Sequence, residues 1–258
     1  MPPSLATATC GRALALGLVL LAATAAAEPV RLGLAVGGPA AIARPAPLVE
    51  LGLEGGGTAV LAGIVVPEVV AGEVASTLAP LLARAEIVTA TVEPADRWGR
   101  LPVQAVAPDG RSLQLALLDA GLALVRPLPG ADPAALEAGL AAEARAERAG
   151  RGIWRNPAAV VVGSEPPEAL SRLGQFVLVE GRVLQASAQQ RYFYLNFGSD
   201  WRTDTTARID RDVLRRMQRA GFDPAELEGR LVRLRGTLFA QNGPMIELWT
   251  HQGIEILP

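Results

Sequence analysis

Lysine is absent from this chain: all 24 cationic side chains are arginines, set against 26 carboxylates, for a net charge of −2. A balance of that kind gives no global attraction for a polyanion, so any nucleic-acid contact has to come from a local patch. The lysine-containing phosphate loop G-x-x-x-x-G-K-[ST] is missing, and so is the G-x-S-x-G elbow of serine hydrolases. Histidine occurs once, at His251, which argues against a histidine-based triad and leaves no second histidine or cysteine for a metal site. Cysteine also occurs once, at Cys10. It stands before the first apolar run, where it is not placed for lipid attachment, and it is expected to leave with the leader. Disulfides and thiolate chemistry are then excluded from the mature chain. Aromatic residues make up only 4%, and no run after the leader is long and apolar enough to read as a membrane helix.

Half of the 258 residues are apolar, which is enough for one large or two small domains with proper cores. The N-terminus reads as an export signal: Arg12, an apolar run from Ala13 to Ala23, then the small-residue site Ala25-Ala26-Ala27. Cleavage is expected after Ala27, which makes residues 1–27 a signal peptide and places the mature protein in a bacterial periplasm or outside the cell. Residues 28–157 read as a strand-rich domain with one helix near 72–85 and two closing helices. Residues 158–168, with Gly163-Ser-Glu-Pro-Pro-Glu168, read as a polar linker. Residues 169–258 hold every Tyr and Phe and the single His, and read as short strands with glycine bends around a helix at 210–220. The fold class expected is mainly β with helices (α+β), built as two small OB-type Greek-key barrels.

The stretch 96–154 is the most informative. It runs Asp96-Arg-Trp-Gly-Arg100, a strand from Leu101 to Ala107, a Pro-Asp-Gly turn, a helix from Ser112 to Ala120, Gly121-Leu-Ala-Leu-Val-Arg126, and a helix from Asp132 to Ala149 closing at Gly150-Arg-Gly-Ile-Trp154. This order resembles the C-terminal half of the thermonuclease (staphylococcal-nuclease-like) family, with its D-x-[YW]-G-R turn, DG turn, "GlA" helix end and final g-x-W. The second domain resembles more loosely the OB-like domain accompanying some bacterial members, through Val179-Glu-Gly-Arg-Val183, the stretch Tyr194 to Asp204, and Gly229-Arg-Leu-Val-Arg-Leu-Arg-Gly236. The resemblance implies phosphodiester hydrolysis with calcium. That chemistry needs several oxygen ligands, cationic donors for the charge on the phosphoryl oxygens, and a base for water.

Against the family's R-L-x-G-I-D-x-P-E motif the chain reads Val60-Leu-Ala-Gly-Ile-Val-Val-Pro-Glu68. Val60 stands for the family's arginine and Val65 for its calcium-binding aspartate. Glu68 is kept, as is Arg100 of the W-G-R turn, so these two are the catalytic positions the resemblance carries over. The D-G-D-T turn has no counterpart near Pro47 to Glu50, where Glu50 is the nearest carboxylate. No cofactor is expected, and calcium only if the chain is an active enzyme. The plainer roles are a helix-opening surface carboxylate for Glu68 and an ion pair with Asp96 or Glu68 for Arg100. Trp98 and Trp154 are expected to pack the domain, and Glu137, Glu143, Arg145, Glu147 and Arg148 to form a solvated helix face.

The second domain carries the stronger binding signal. Along Arg191 to Phe197, Tyr192, Tyr194 and Asn196 share one strand face, and Phe193, Leu195 and Phe197 the other, which should be core. Tyr192 and Tyr194, with Trp201 and Arg202 nearby, form a candidate platform for stacking bases of a single strand. Interleaved Asp200, Asp204, Asp210 and Asp212 weaken the local field. The leading expectation is an exported, catalytically impaired thermonuclease homologue acting as a binding or scaffold module, with single-stranded nucleic acid or an envelope protein as partner. The alternative is a calcium-dependent nuclease with a rebuilt site: two carboxylates converging on Arg100 would favour it, and buried Val60 and Val65 would favour impairment. A purely structural protein would cover Tyr192 and Tyr194 with the first domain.

Overall fold

The computed structural model describes residues 32–34, 49–53, 57–82, 88–91, 95–107, 109–129, 131–200 and 202–258. The expected signal peptide with Cys10, its cleavage site at Ala27, and Trp201 lie outside the described residues. The architecture is mixed α+β.

The first unit opens with β1 (Leu32–Leu34), β2 (Glu50–Leu53) and β3 (Thr58–Leu61). The apolar run from Thr58 to Val66 does not form one strand. It turns at Ala62-Gly63, where Gly63 has a φ of 75°, and restarts as the two-residue β4 (Ile64–Val65). A 3-10 turn from Glu68 leads into α1 (Ala71–Leu82), whose Val74, Leu78 and Leu81 are buried at helical spacing. Then come β5 (Val88–Thr91), β6 (Arg100–Val106), α2 (Leu113–Asp119), β7 (Leu124–Val125) and α3 (Pro133–Arg148). The sheet order is β1-β2-β3-β6-β5, with β3 and β6 parallel and the other pairs antiparallel. The short β4 and β7 pair separately.

Local chemistry explains the helix starts. Ser112 accepts the Leu115 N–H at 3.3 Å, and Asp132 accepts the Ala134 N–H at 3.1 Å ahead of Pro133. Buried Gln114 fastens α2 to β6, accepting the Ala105 N–H and donating to the Val103 carbonyl at 2.9 Å. The two glycine-marked helix ends meet. Gly121 and Gly152 both have positive φ, a Cβ on Gly121 would lie 2.2 Å from the Arg151 carbonyl oxygen, and the Ile153 N–H donates to the Gly121 carbonyl.

The second unit is built on the other large sheet. The stretch read as a linker carries β8 (Val161–Gly163), parallel to the next strand, and a short helix α4 (Pro166–Leu170). Then follow β9 (Phe176–Arg182), β10 (Gln185–Ala188), β11 (Tyr192–Asn196), β12 (Thr206–Asp210), α5 (Arg211–Arg219), β13 (Leu231–Ala240), β14 (Pro244–Leu248) and β15 (Ile254–Ile256). The order is β10-β11-β12-β14-β13-β9-β8, with β15 on β13. One face buries Val177, Val179, Leu234, Leu238, Ile246 and Ile209 with Val213 and Met217 of α5. Among the described residues no pairing closes either sheet into a barrel. At the β10 edge, the Ala186 N–H is taken by the Glu228 carboxylate rather than by another strand.

The opposite face of β9 and β13 packs on the first unit. Phe176 and Leu178 belong to the same buried cluster as Leu136, Ala142 and Ala146. The α3 charges are therefore not all solvated, as the sequence suggested. Glu143 and Arg235 are each about 3% exposed and pair at 2.8 Å across the seam, and Glu143 also accepts the Val125 N–H. Arg233 grips both Glu147 oxygens, at 2.8 and 3.0 Å, and Glu180 at 2.7 Å. Among the described residues, no helix is long and apolar enough to cross a membrane.

Candidate functional site

The turn 96–100 builds its own ion pair. Asp96 Oδ1 accepts the N–H groups of Trp98 and Arg100 at 2.9 and 3.0 Å, and Gly99, with a φ of 76°, lets the chain reverse. That leaves Asp96 Oδ2 facing the Arg100 guanidinium, 2.8 Å from Nε and 2.7 Å from Nη2. Glu50, from β2, reaches across to Nη1 at 2.8 Å. Arg100 is 8% exposed, and each of its nitrogens meets a carboxylate. The Trp98 ring lies 4.7 Å from the Arg100 guanidinium and 4.0 Å from that of Arg97. Trp98 is 48% exposed, so it lids the ion pair and does not pack the core as expected, whereas Trp154 is buried.

Charge follows contact here. Burial acts to lower the Arg100 pKa, but hydrogen bonds and attraction from Asp96 and Glu50 outweigh it and raise it above the ordinary value. Burial acts to raise the Asp96 pKa, but hydrogen bonds from the Arg100 side chain and from the Arg100 and Trp98 N–H groups hold it below the ordinary carboxylate range.

Glu68 takes no part. It is exposed, at the start of the 3-10 turn after Pro67, and no hydrogen bond or ion pair joins it to Arg100 among the described residues. Val60 and Val65, at the positions the resemblance assigns to arginine and aspartate, are buried, and Val65 pairs with Leu124. Arg100 is joined to Asp96 and Glu50. Among the described residues no group of three or more His, Cys, Asp or Glu side chains converges.

In the second unit, Tyr192, Tyr194 and Asn196 lie on one face of β11 and are half-buried, while Phe193 and Leu195 point into the core. The tyrosine rings meet edge to face at 6.0 Å. Tyr194 is in register with Arg208 on β12, and Arg208 with Glu247 on β14. The Arg208 guanidinium bridges the sheet. It sits 4.9 Å from the Tyr192 ring and 4.9 Å from the Phe239 ring, and it bonds Glu247 at 2.9 Å and Gln241 at 2.6 Å. Arg191 approaches Tyr192 from the strand end at 5.4 Å. The ring, cation and strand partners of the two tyrosines, Arg191, Arg208 and the flanking strands β10 and β12, belong to the second unit. Arg202 is exposed and its N–H donates to Asp200; Trp201 lies outside the described residues. His251 stacks on Phe222 at 5.6 Å.

Sequence reasoning did not single out Phe239, Glu247 and Trp249. Phe239 and Glu247 sit beside Arg208, and Trp249 is 51% exposed at the end of β14. The signal was present in the alternation of β13 and β14, since Thr237, Phe239 and Glu247 share the face of Arg208. No protein-family model matches the chain, and no curated protein matches it either.

Proposed function

We propose that this chain is an exported, thermonuclease-like protein whose first unit no longer hydrolyses phosphodiesters and which acts as a binding module, its ligand held on the second unit. Both units are read as OB-type Greek-key folds. The observation that carries the reading is the burial of Val60 and Val65 where the resemblance would put an arginine and a calcium-binding aspartate, together with the engaged state of Arg100. Its guanidinium is engaged by two carboxylates, so a phosphate would have to displace one of them. The donor set does not fit calcium: the carboxylates that converge, Glu50 and Asp96, already face a cation, and buried Val60 and Val65 offer no oxygen. On the second unit, Tyr192, Tyr194 and Arg208 form an aromatic and cationic face suited to a single-stranded nucleic acid or an envelope protein.

A calcium-dependent phosphodiesterase with a rebuilt site is the second reading. The convergence of Glu50 and Asp96 on Arg100 favours it. The two part in one assay, hydrolysis of single-stranded DNA and RNA by the purified protein with calcium and with chelator, alongside Arg100→Ala and Glu68→Gln. No cleavage by any of the proteins is the expected result. Calcium-dependent cleavage that both substitutions abolish would overturn the impaired reading.

A further inference from the structure

The surface that carries Tyr194 and Arg208 does not end at Phe239. It continues into a cavity of about 500 Å³ at the seam of the two units, walled by the segment 126–129 on one side and by β13 and β14 on the other. Phe239 and Glu247 belong to both places: they flank Arg208 on the sheet and they line the cavity. Trp249 stands at its far side. The same tryptophan, with Leu128, Pro129 and Thr250, borders a second cavity of about 190 Å³, which is lined beyond it by Arg216 and His251. A half-exposed indole between two cavities is an accessible stacking surface, and the first cavity is of the size usual for ligand sites.

The charges along this route sort into matched and unmatched groups. Glu247 is matched by Arg208, and Arg235 by Glu143. Arg216 is exposed on α5, and its guanidinium has no acceptor among the described residues. At the other end Arg191 is exposed above Tyr192. Arg126 lines the first cavity as well, and Asp210 lies opposite Tyr192 on β12, so the route joins aromatic rings to arginines in excess over carboxylates, with exposed Arg191 and Arg216 at its ends. That excess of arginine beside aromatic rings complements a chain of planar groups on an anionic backbone better than it complements a neutral or cationic protein segment.

We propose that the seam groove is a binding site for single-stranded nucleic acid. The strand runs from the Tyr194 side past Phe239, places a base against Trp249, and sets a phosphate on Arg216. This rests on the reading that the second unit is a ligand-binding module, and it assigns the ligand class and the principal contact, Trp249. The first unit takes part as well, because the segment 126–129 forms a wall of the groove.

The test is fluorescence anisotropy with a labelled oligothymidylate of about twelve nucleotides, long enough for one barrel-sized site, and the purified protein in chelator. Trp249→Ala should weaken binding roughly tenfold, the loss typical of one stacked base, and Trp249→Phe should restore most of it. Arg216→Ala should reduce the salt dependence by about one counterion, which Trp249→Ala should not do. If Tyr194→Ala weakens binding and Trp249→Ala does not, the groove assignment fails while the binding-module reading stands. Absence of oligonucleotide binding up to about 100 µM protein, the weak end of ordinary non-specific affinity, overturns the proposal. Binding of an uncharged proline-rich peptide in its place, lost in Trp249→Ala, would put a protein in the groove and keep only the module. A thermal melt of each variant guards against unfolding, and recovery in Trp249→Phe separates stacking from packing.

Discussion

Arg100 holds together two carboxylates that would repel each other without it. Arg100→Ala should lower stability by about 2 kcal/mol, below the cost of breaking a fully buried pair because Glu50 and Asp96 keep some contact with water. A shift of the urea midpoint with unchanged slope would show it. Asp96 also makes the turn sensitive to acid. Its carboxyl titrates lower in the folded chain than in the unfolded one, so between the two values the unfolded state binds more protons and stability rises with pH. The stabilisation is complete above the ordinary aspartate value of about 4 and is lost as pH falls through the lower folded value. The stability gap between wild type and Asp96→Asn should therefore hold from about pH 8 to about pH 5 and close toward about pH 2. A constant gap across that range would remove the ion pair from its cause. That Arg100 would pair with a carboxylate was legible, with Asp96 and Glu68 both in view, and the turn geometry decides for Asp96. That Glu50 would join was not, because strand register, not sequence distance, brings β2 alongside β3 and β6.

At the scale of elements, local signals read well and non-local ones poorly. The three capped helices stand where Ser112, Asp132 and Asp210 announced them, because a cap is decided by residues within one turn. Ser112→Ala should cost about 1 kcal/mol on that account. The contact of Gly121 with Gly152 is another matter. Gly121→Ala would place a methyl group against the Arg151 carbonyl in a left-handed backbone, and should cost about 3 kcal/mol, several times the loss of the cap. Comparing the melting temperatures of the two variants checks that ranking, and equal losses would mean that the helix ends do not meet closely. Glu143 and Glu147 were misread as solvated because charges at helical spacing look the same whether they face water or an arginine on another element. The clue lay some ninety residues away, where β13 alternates Val232, Arg233, Leu234 and Arg235 and is buried on both faces. Two arginines on a buried strand face demand carboxylates from somewhere, and nothing local says from where.

At the scale of the whole molecule, the two units share one apolar cluster and the ion pairs of Arg233 and Arg235. They should therefore unfold together, giving a single calorimetric transition with equal calorimetric and van't Hoff enthalpies. Arg235→Ala leaves Glu143 buried without its cation and should cost about 3 to 5 kcal/mol, while replacing both residues by methionine should recover much of the loss. If Arg235→Ala melts like wild type, the seam is not a cohesive interface. The mixture of strands and helices was visible in the sequence, though not that helix would be as abundant as strand, and so was the change of character beyond residue 168. The docking of the halves was not, since it depends on which face of β9 and β13 meets α3.

That docking makes the second unit depend on the first for more than position. Helix α3 acts as a permanent counter-ion for the second unit, and the cluster around Leu136 and Ala142 as its dry wall. A fragment beginning near residue 158 would expose Phe176 and Leu178 and strip Arg235 of its nearest carboxylate. Such a fragment is expected to precipitate rather than to survive as a free-standing module. Whatever the first unit does, removing it would strip the second of its dry wall and of the carboxylate facing its buried arginine, so the two are bound to persist together.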